Sequence, residues 1–224
     1  MSFSEKVLLF YRDVDIGYPL PEGVEVMNPY RDAACMEVCT KFYNTYYNDG
    51  GKRFLILGIN PGRYGAGRTG IPFTDPIKLE KVFGIKNTFP KKPELSADFI
   101  HQMIDSFGGH RKFFSKFFIN SVSPLGFTKS VKNLNYYDAP ALKKSLEPFI
   151  RKSIRTILAF GIHEKVAFCL GEGENYKYLK MLNNHEKFFE EIIPLAHPRF
   201  IMQYRRKQMQ HYIDDYLQKF NSVQ

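Results

Sequence analysis

Residues 54–73 read FLILGINPGRYGAGRTGIPF, and their reading decides the fold. An apolar, strand-prone run at 54–58 stops at Asn60, Pro61 and Gly62. The loop that follows carries Gly62, Gly65, Gly67 and Gly70 and closes on Ile71, Pro72 and Phe73. A buried strand that empties into a glycine-rich loop is where α/β proteins place their ligands. Glycines let the backbone approach a ligand closely. Asn60, the polar side chain at the strand end, then points into a pocket, and Phe73 covers it.

Two kinds of pocket fit such a loop. Residues 62–69 nearly spell a phosphate-cradling P-loop, with Arg68 in place of its lysine. A P-loop must run straight into a helix whose N-terminus helps hold the phosphates. Here Gly70, Pro72 and Pro76 interrupt the next turns, and proline removes a backbone donor and restricts its predecessor. No later apolar strand ends in an Asp that would hold Mg²⁺. The pattern therefore favours a slot for a flat ring: an amide at the strand end, glycine backbone on one side, an aromatic face on the other.

The chain has 224 residues, enough for one well-buried α/β domain and short for two. Its formal charge of +9 points to an anionic partner, nucleic acid first. Phe and Tyr supply all the aromatics, because Trp is absent. Some could stack on bases; Phe113, Phe114, Phe117 and Phe118 read as core. Cys35, Cys39 and Cys169 are the only cysteines, too few for a four-ligand zinc or iron–sulfur site. They read as buried free thiols of a reducing compartment. The first residues carry too many charges and too short an apolar run for a signal peptide, and no stretch is long enough to span a membrane. The expectation is a cytoplasmic monomer without cofactor, metal or membrane partner, nuclear if the host is eukaryotic.

Further along, the pattern predicts helices at 2–12, at 33–47 capped by Asp32, and at 96–107 opened by Ser96. Residues 16–30 read as extended and 74–95 as an irregular excursion. Strands are expected at 117–122, at 156–160 (TILAF) and at 191–196, where Pro194 suits an edge. Helices are expected at 139–153, 162–170, 174–184 and 204–220. Strands alternating with helices imply a parallel sheet covered on both faces. The prediction is one domain over residues 1–224: a three-layer α/β/α sandwich around a four-stranded parallel sheet.

In that arrangement the strand ends share one edge and carry Asn60, Asn120, Gly161 and His197. Each has a structural alternative. Asn60 before a proline can form an Asx turn. Asn120, in an apolar run, can satisfy backbone groups. A lone His at a strand end is more often structural than catalytic. Together, beside the glycine loop, they favour a site.

At this point the chain resembles the uracil-DNA glycosylase superfamily, most closely its single-strand-selective monofunctional branch. The family's first motif reads G-M-N-P-G-x-[FY]-G-x-x-x-T-G-x-P-F; residues 58–73 supply GINPGRYGAGRTGIPF. The resemblance continues in MNPY at 27–30, in INSVSPLGF at 119–127, similar to H-N-x-C-P-L-x-F, and in His197-Pro198. It implies these roles. Asn60 positions the attacking water, and Phe73 stacks on the flipped base. Asn120 reads the Watson–Crick edge. His197 stabilises charge on the uracil O2. Gly62, Tyr64, Gly65 and Ala66 line the pocket.

The chemistry of those side chains fits. An enzyme acting on a base takes it out of the stack into a snug pocket. An Asn amide pairs with an adjacent N–H and C=O, the reverse of cytosine's pattern. A donor at O2 stabilises the departing anion. Asn60 cannot ionise, so it orients water rather than acting as a strong base. No lysine occupies a motif position, so neither a Schiff base nor strand cleavage is expected.

The chain departs from the family after His197-Pro198, where H-P-S-P-R gives way to Arg199, Phe200, Ile201 and Met202, with Arg205 and Arg206 beyond. This stretch reads as a loop that enters the DNA, and one of residues 199–202 is expected to wedge there, with Arg199 either inserting or binding phosphate. Arg205, Arg206, Lys129 and Lys132 are the further candidate phosphate contacts, the lysines being equally readable as solvated surface charges. Ala66 replaces a larger Met and leaves room for 5-substituted or other deaminated bases. The expected function is release of uracil or a related damaged base from DNA. Alternatives are a relative preferring hypoxanthine or xanthine, and a catalytically weak lesion-binding module.

Overall fold

The computed structural model describes residues 1–223. Helix α1 (Phe3–Asp13) starts from a reciprocal cap, Ser2 Oγ accepting from Glu5 N–H and Glu5 accepting from Ser2 N–H. Strand β1 (Glu25–Met27) and a 3₁₀ turn (Pro29–Arg31) lie in the segment expected to be extended. Asp32 caps α2 (Ala33–Tyr46) through Ala34 N–H, and β2 (Arg53–Gly58) follows. After the glycine loop come α3 (Ala66–Thr69) and α4 (Pro76–Lys81). The latter stands in the stretch expected to be irregular. Asp75 caps it with Pro76 in its first turn, and these are start signals in their own right.

Helix α5 (Leu95–Phe107) leads into α6 (His110–Lys116), which the sequence reading did not assign. Then come β3 (Phe117–Ser121), β4 (Gly126–Lys129) and β5 (Lys132–Leu134). The second half holds α7 (Pro140–Leu158), β6 (Ile162–Leu170), α8 (Glu174–Glu186) and β7 (Glu191–Leu195). It ends in α9 (Pro198–Tyr204), a 3₁₀ turn (Arg206–Gln208) and α10 (Met209–Asn221).

Strands β3-β2-β6-β7 form a four-stranded parallel sheet, with Pro194 on its edge strand. The fold is the expected α/β/α sandwich. Phe118 packs on Phe3 of α1 and on Tyr43 of α2, while Phe117, one residue earlier, packs on Phe220 of α10. Alternation along β3 thus sends successive side chains to opposite layers.

Two elements correct the sequence reading. Residues 156–160 are not a strand: Ile157 completes a buried helical stripe with Leu146, Ile150 and Ile154 in α7. Residues 162–170 are not a helix but the third strand, β6, whose last five residues are all buried. Short apolar runs do not separate strand from helix by period alone. Gly161 (φ 114°) therefore turns the chain into β6 at the far end of the sheet, and Gly171 (φ 107°) stands at the ligand edge instead. A second, antiparallel sheet, β1-β4-β5, was not expected. It carries residues 134–136 to the end of β2, and the site depends on that.

At the opposite end of β2, Arg53 is fully buried. Its guanidinium donates to Phe114 O (2.8 Å), Gly51 O (2.8 Å) and the Asp49 carboxylate (2.7 Å), and lies over the Phe3 and Tyr47 rings. Arg53→Ala should lower unfolding free energy by about 3 kcal/mol, since it strands a buried carbonyl and opens a void; Asp49 stays half-exposed and adds little. Urea unfolding of parent and variant measures it, and an unchanged midpoint would remove Arg53 from the framework.

Candidate active site

The carboxyl ends of β2, β3 and β6 and the start of α9 open on one cavity of about 950 Å³. Asn60, Gly62, Tyr64, Gly65, Ala66, Phe73 and His197 all line it. Asn60 Nδ2 donates to Leu134 O (3.1 Å), and its Oδ1 accepts from Tyr136 N–H (2.9 Å). The segment leaving β5 thus fixes which way the amide points. Nδ2 also points its other N–H at Pro61 O (3.4 Å), so it is the second lone pair of Oδ1 that remains for a water molecule. Behind it, Tyr136 Oη donates to Asn175 Oδ1, and Asn175 Nδ2 donates to Leu170 O. The buried Tyr136–Asn175 pair joins three strand ends.

Phe73 sits at φ 51°, a left-handed conformation that a non-glycine residue holds only when its surroundings impose it. The surroundings are visible. Thr69 Oγ1 donates to Thr74 O (2.6 Å), closing the loop around it. His101, neutral because burial holds it down to about pKa 3, bonds to the Phe73 carbonyl and to His110 (2.9 Å). Gly70 (φ 71°) lets the loop pass over Cys35 and Cys39, where a Cβ would stand 2.6 Å from Cys39 Sγ.

His197 caps α9, its Nδ1 accepting from Arg199 N–H at 3.1 Å. That bond places the proton of the neutral ring on Nε2, the remaining nitrogen and the remaining donor. Burial, then the Arg199 charge, holds the ring down to about pKa 4, so it is neutral near pH 7.

Asn120 is a correction. It is buried outside the cavity, with Nδ2 donating to Tyr11 Oη (3.2 Å) and Oδ1 accepting from Ser121 N–H (2.7 Å). Ser121, on the other face of β3, lines the cavity in its place. One residue along a strand exchanges the two faces. In the motif H-N-x-C-P-L the Asn stands three before the proline; Ser121, not Asn120, stands three before Pro124. That count was the available signal.

The expected DNA contacts separate as a helix separates them. Residues 198–204 are helix, not loop, so Ile201 and Met202 turn into the core. They cannot serve as wedges. Arg199 and Phe200 are exposed on the cavity rim, and Arg205 lies 5.5 Å over the Phe200 ring. Lys132 is on the rim; Arg205, Arg206 and Lys129 are exposed outside it, with Lys129 Nζ donating to Glu22 O at 3.2 Å. The sequence reading missed Arg63 and Lys92, which flank Tyr64 at 4.7 and 5.2 Å, and also Ser121, Tyr136, Asn175 and Glu94. Among the described residues no helix is long and apolar enough to cross a membrane, and no three His, Cys, Asp or Glu side chains are grouped to hold a metal.

A strand-end amide, an aromatic ring held in place by its loop and a neutral imidazole thus line one cavity at the strand ends of an α/β/α sandwich. Residues 45–221 match the model of the uracil DNA glycosylase superfamily, and the chain belongs to that family. The crystal structure of wild-type Pedobacter heparinus SMUG2 superposes with a TM-score of 0.97 at 45% identity, covering 100% of this chain and 98% of that one. The single-strand selective monofunctional uracil-DNA glycosylase of Rattus norvegicus is 27% identical over 159 residues, 63% of this chain. Its Mus musculus counterpart is 25% identical over 162 residues, 64% of this chain. The chain spans about half the length of these two relatives, 50% and 51%.

Proposed function

We propose that the protein is a monofunctional DNA glycosylase that takes uracil or a related damaged base out of the stack and hydrolyses its N-glycosidic bond, leaving an abasic site. One observation carries this reading: Asn60 and a neutral His197 with Nε2–H as its free donor line the same cavity. The base stacks on Phe73. His197 Nε2–H donates to the base oxygen that gains charge as the bond breaks. Asn60 holds the water that attacks the sugar carbon. The reading takes the protein as a monomer acting on DNA, with no membrane partner.

Oligonucleotides carrying a single uracil, hydroxymethyluracil, hypoxanthine or xanthine test it, with alkali used to cleave abasic sites. Alkali-dependent breaks at the lesion are expected. Breaks without alkali would instead point to an amine nucleophile, and Lys132 on the rim would be examined first. The deaminated-purine reading draws on Ser121, whose single hydroxyl selects a base edge less stringently than an amide.

Arg199 and Phe200 are our candidates for the group that fills the gap left by the base. Replacing both with Ala should lower the duplex-to-single-strand ratio of single-turnover rates by about tenfold, because only a duplex must be held open. An unchanged ratio would place both side chains outside the DNA stack.

A further inference from the structure

The glycine loop has a carboxyl against it that the reaction above leaves unused. Glu94 occupies the N-cap of α5, and its side chain makes no hydrogen bond to the helix's first N–H groups. Its side chain turns to Gly65 instead. A Cβ on Gly65 would collide with Glu94 Oε2, so any larger residue there would displace the carboxyl from this position. Glu94 lines the cavity. Its Oε2 is sealed from solvent and has no hydrogen-bond partner, whereas Oε1 is not sealed.

An unpaired, sealed oxygen is costly on a carboxylate and far less so as the C=O of a neutral acid. The neighbours favour the neutral form as well. Asp75 Oδ2, itself buried, accepts the Glu94 backbone N–H at 3.0 Å. Lys78 is bonded to Asp98 rather than to Glu94. Burial first, then the Asp75 charge, push the Glu94 carboxyl up to about 7; Lys78 and Arg199 pull it down and Asp98 pushes it up by less. The phosphates of bound DNA would raise it further.

We propose that Glu94 is a base-reading residue: as a neutral acid, it donates a hydrogen bond from Oε1 to an acceptor atom, a carbonyl oxygen or ring nitrogen, on the edge of the bound base that faces Gly65. The proposal rests on the glycosylase reading above. It explains why an acid tolerates a polyanionic partner and what the missing side chain at Gly65 makes room for. A base that presents only C–H groups to that edge gains nothing from Glu94. The residue therefore sets selectivity and not only rate.

The test uses parent, Glu94→Gln and Glu94→Ala with the four lesion oligonucleotides, single-stranded, at about pH 6 and about pH 8.5. Parent rates on the preferred base should fall about fivefold or more at the higher pH, as the donor proton is lost. His197, held down to about pKa 4, does not titrate in that window. Glu94→Gln keeps a donor that cannot ionise, so its rates should be equal at the two pH values. Glu94→Ala should lose about tenfold or more on some bases and little on others. If Glu94→Ala fails to fold, the Gln variant carries the test alone. A pH profile unchanged in Glu94→Gln, or an equal loss on all four bases in Glu94→Ala, overturns the proposal while leaving the glycosylase reading intact. A parent that releases none of the four bases overturns both.

Discussion

His197→Ala should slow single-turnover base release by about 10²–10³-fold, the range for losing a donor aimed at developing charge. DNA binding should change little, because the imidazole meets a full charge only as the bond breaks. The geometry makes a second, sharper claim. With Nδ1 engaged by the Arg199 N–H, the ring works as a neutral donor through Nε2. Its rate contribution should therefore show no step near pH 6.5, the ordinary range for histidine. Protonation at about pKa 4 would break the bond to the Arg199 N–H, and the unfolded chain takes up its proton at higher pH than the folded one. Stability contributed by this group is therefore present above about pH 6.5 and is lost as pH falls towards 4. A rate undiminished in His197→Ala, or a rate in the non-titrating Glu94→Gln variant that follows a titration near 6.5, would dismiss the assignment.

Asn60→Ala should reduce release by about 10²-fold, again with binding nearly intact, since a water without an orienting partner is rarely in line for attack. Asn60→Asp separates orientation from basicity. A carboxylate is the stronger base, but here one of its oxygens would replace Nδ2 and face the Leu134 carbonyl. The repulsion should turn the side chain away and cancel the gain. Single-turnover rates of the two variants on a uracil oligonucleotide decide the matter. An Ala variant as fast as the parent ends the proposed role, and an Asp variant faster than the parent shows that Leu134 does not constrain this position.

The sheet and the glycine loop were legible because their signals are local. A run of apolar residues at 54–58, then Asn60, Pro61 and Gly62, has few competing conformations. Residues 156–170 were read inversely because both halves are apolar and short. What separates them is the stripe Leu146–Ile150–Ile154–Ile157, which becomes visible only when 156–160 are read as the continuation of the preceding helix. Asn120 misled for a different reason: chemistry chose the amide over its neighbour, and the count to Pro124 would have chosen Ser121. The turn after His197 looked like a loop because bulky residues follow a proline, yet Pro198 in the first turn of a capped helix is a start signal. Glu94 had no local signature at all. Its environment comes from Gly65 and Asp75, distant in sequence, and the cap position of the helix, read at Ser96, falls at Glu94.

The hydrogen bonds that aim Asn60 come from the Leu134 carbonyl and the Tyr136 amide, both main-chain groups. Every residue type except proline supplies the same pair of atoms. Drift at position 134 can therefore change its side chain without turning the amide, provided the strand keeps its path. The vulnerable features are those that set the path: Gly126, where a Cβ would strike the Pro61 carbonyl, and Tyr136, whose hydroxyl is moored to Asn175. The site is thus protected against most single changes among its nearest neighbours. It is exposed to changes at Gly126 and Asn175, which make no hydrogen bond to Asn60.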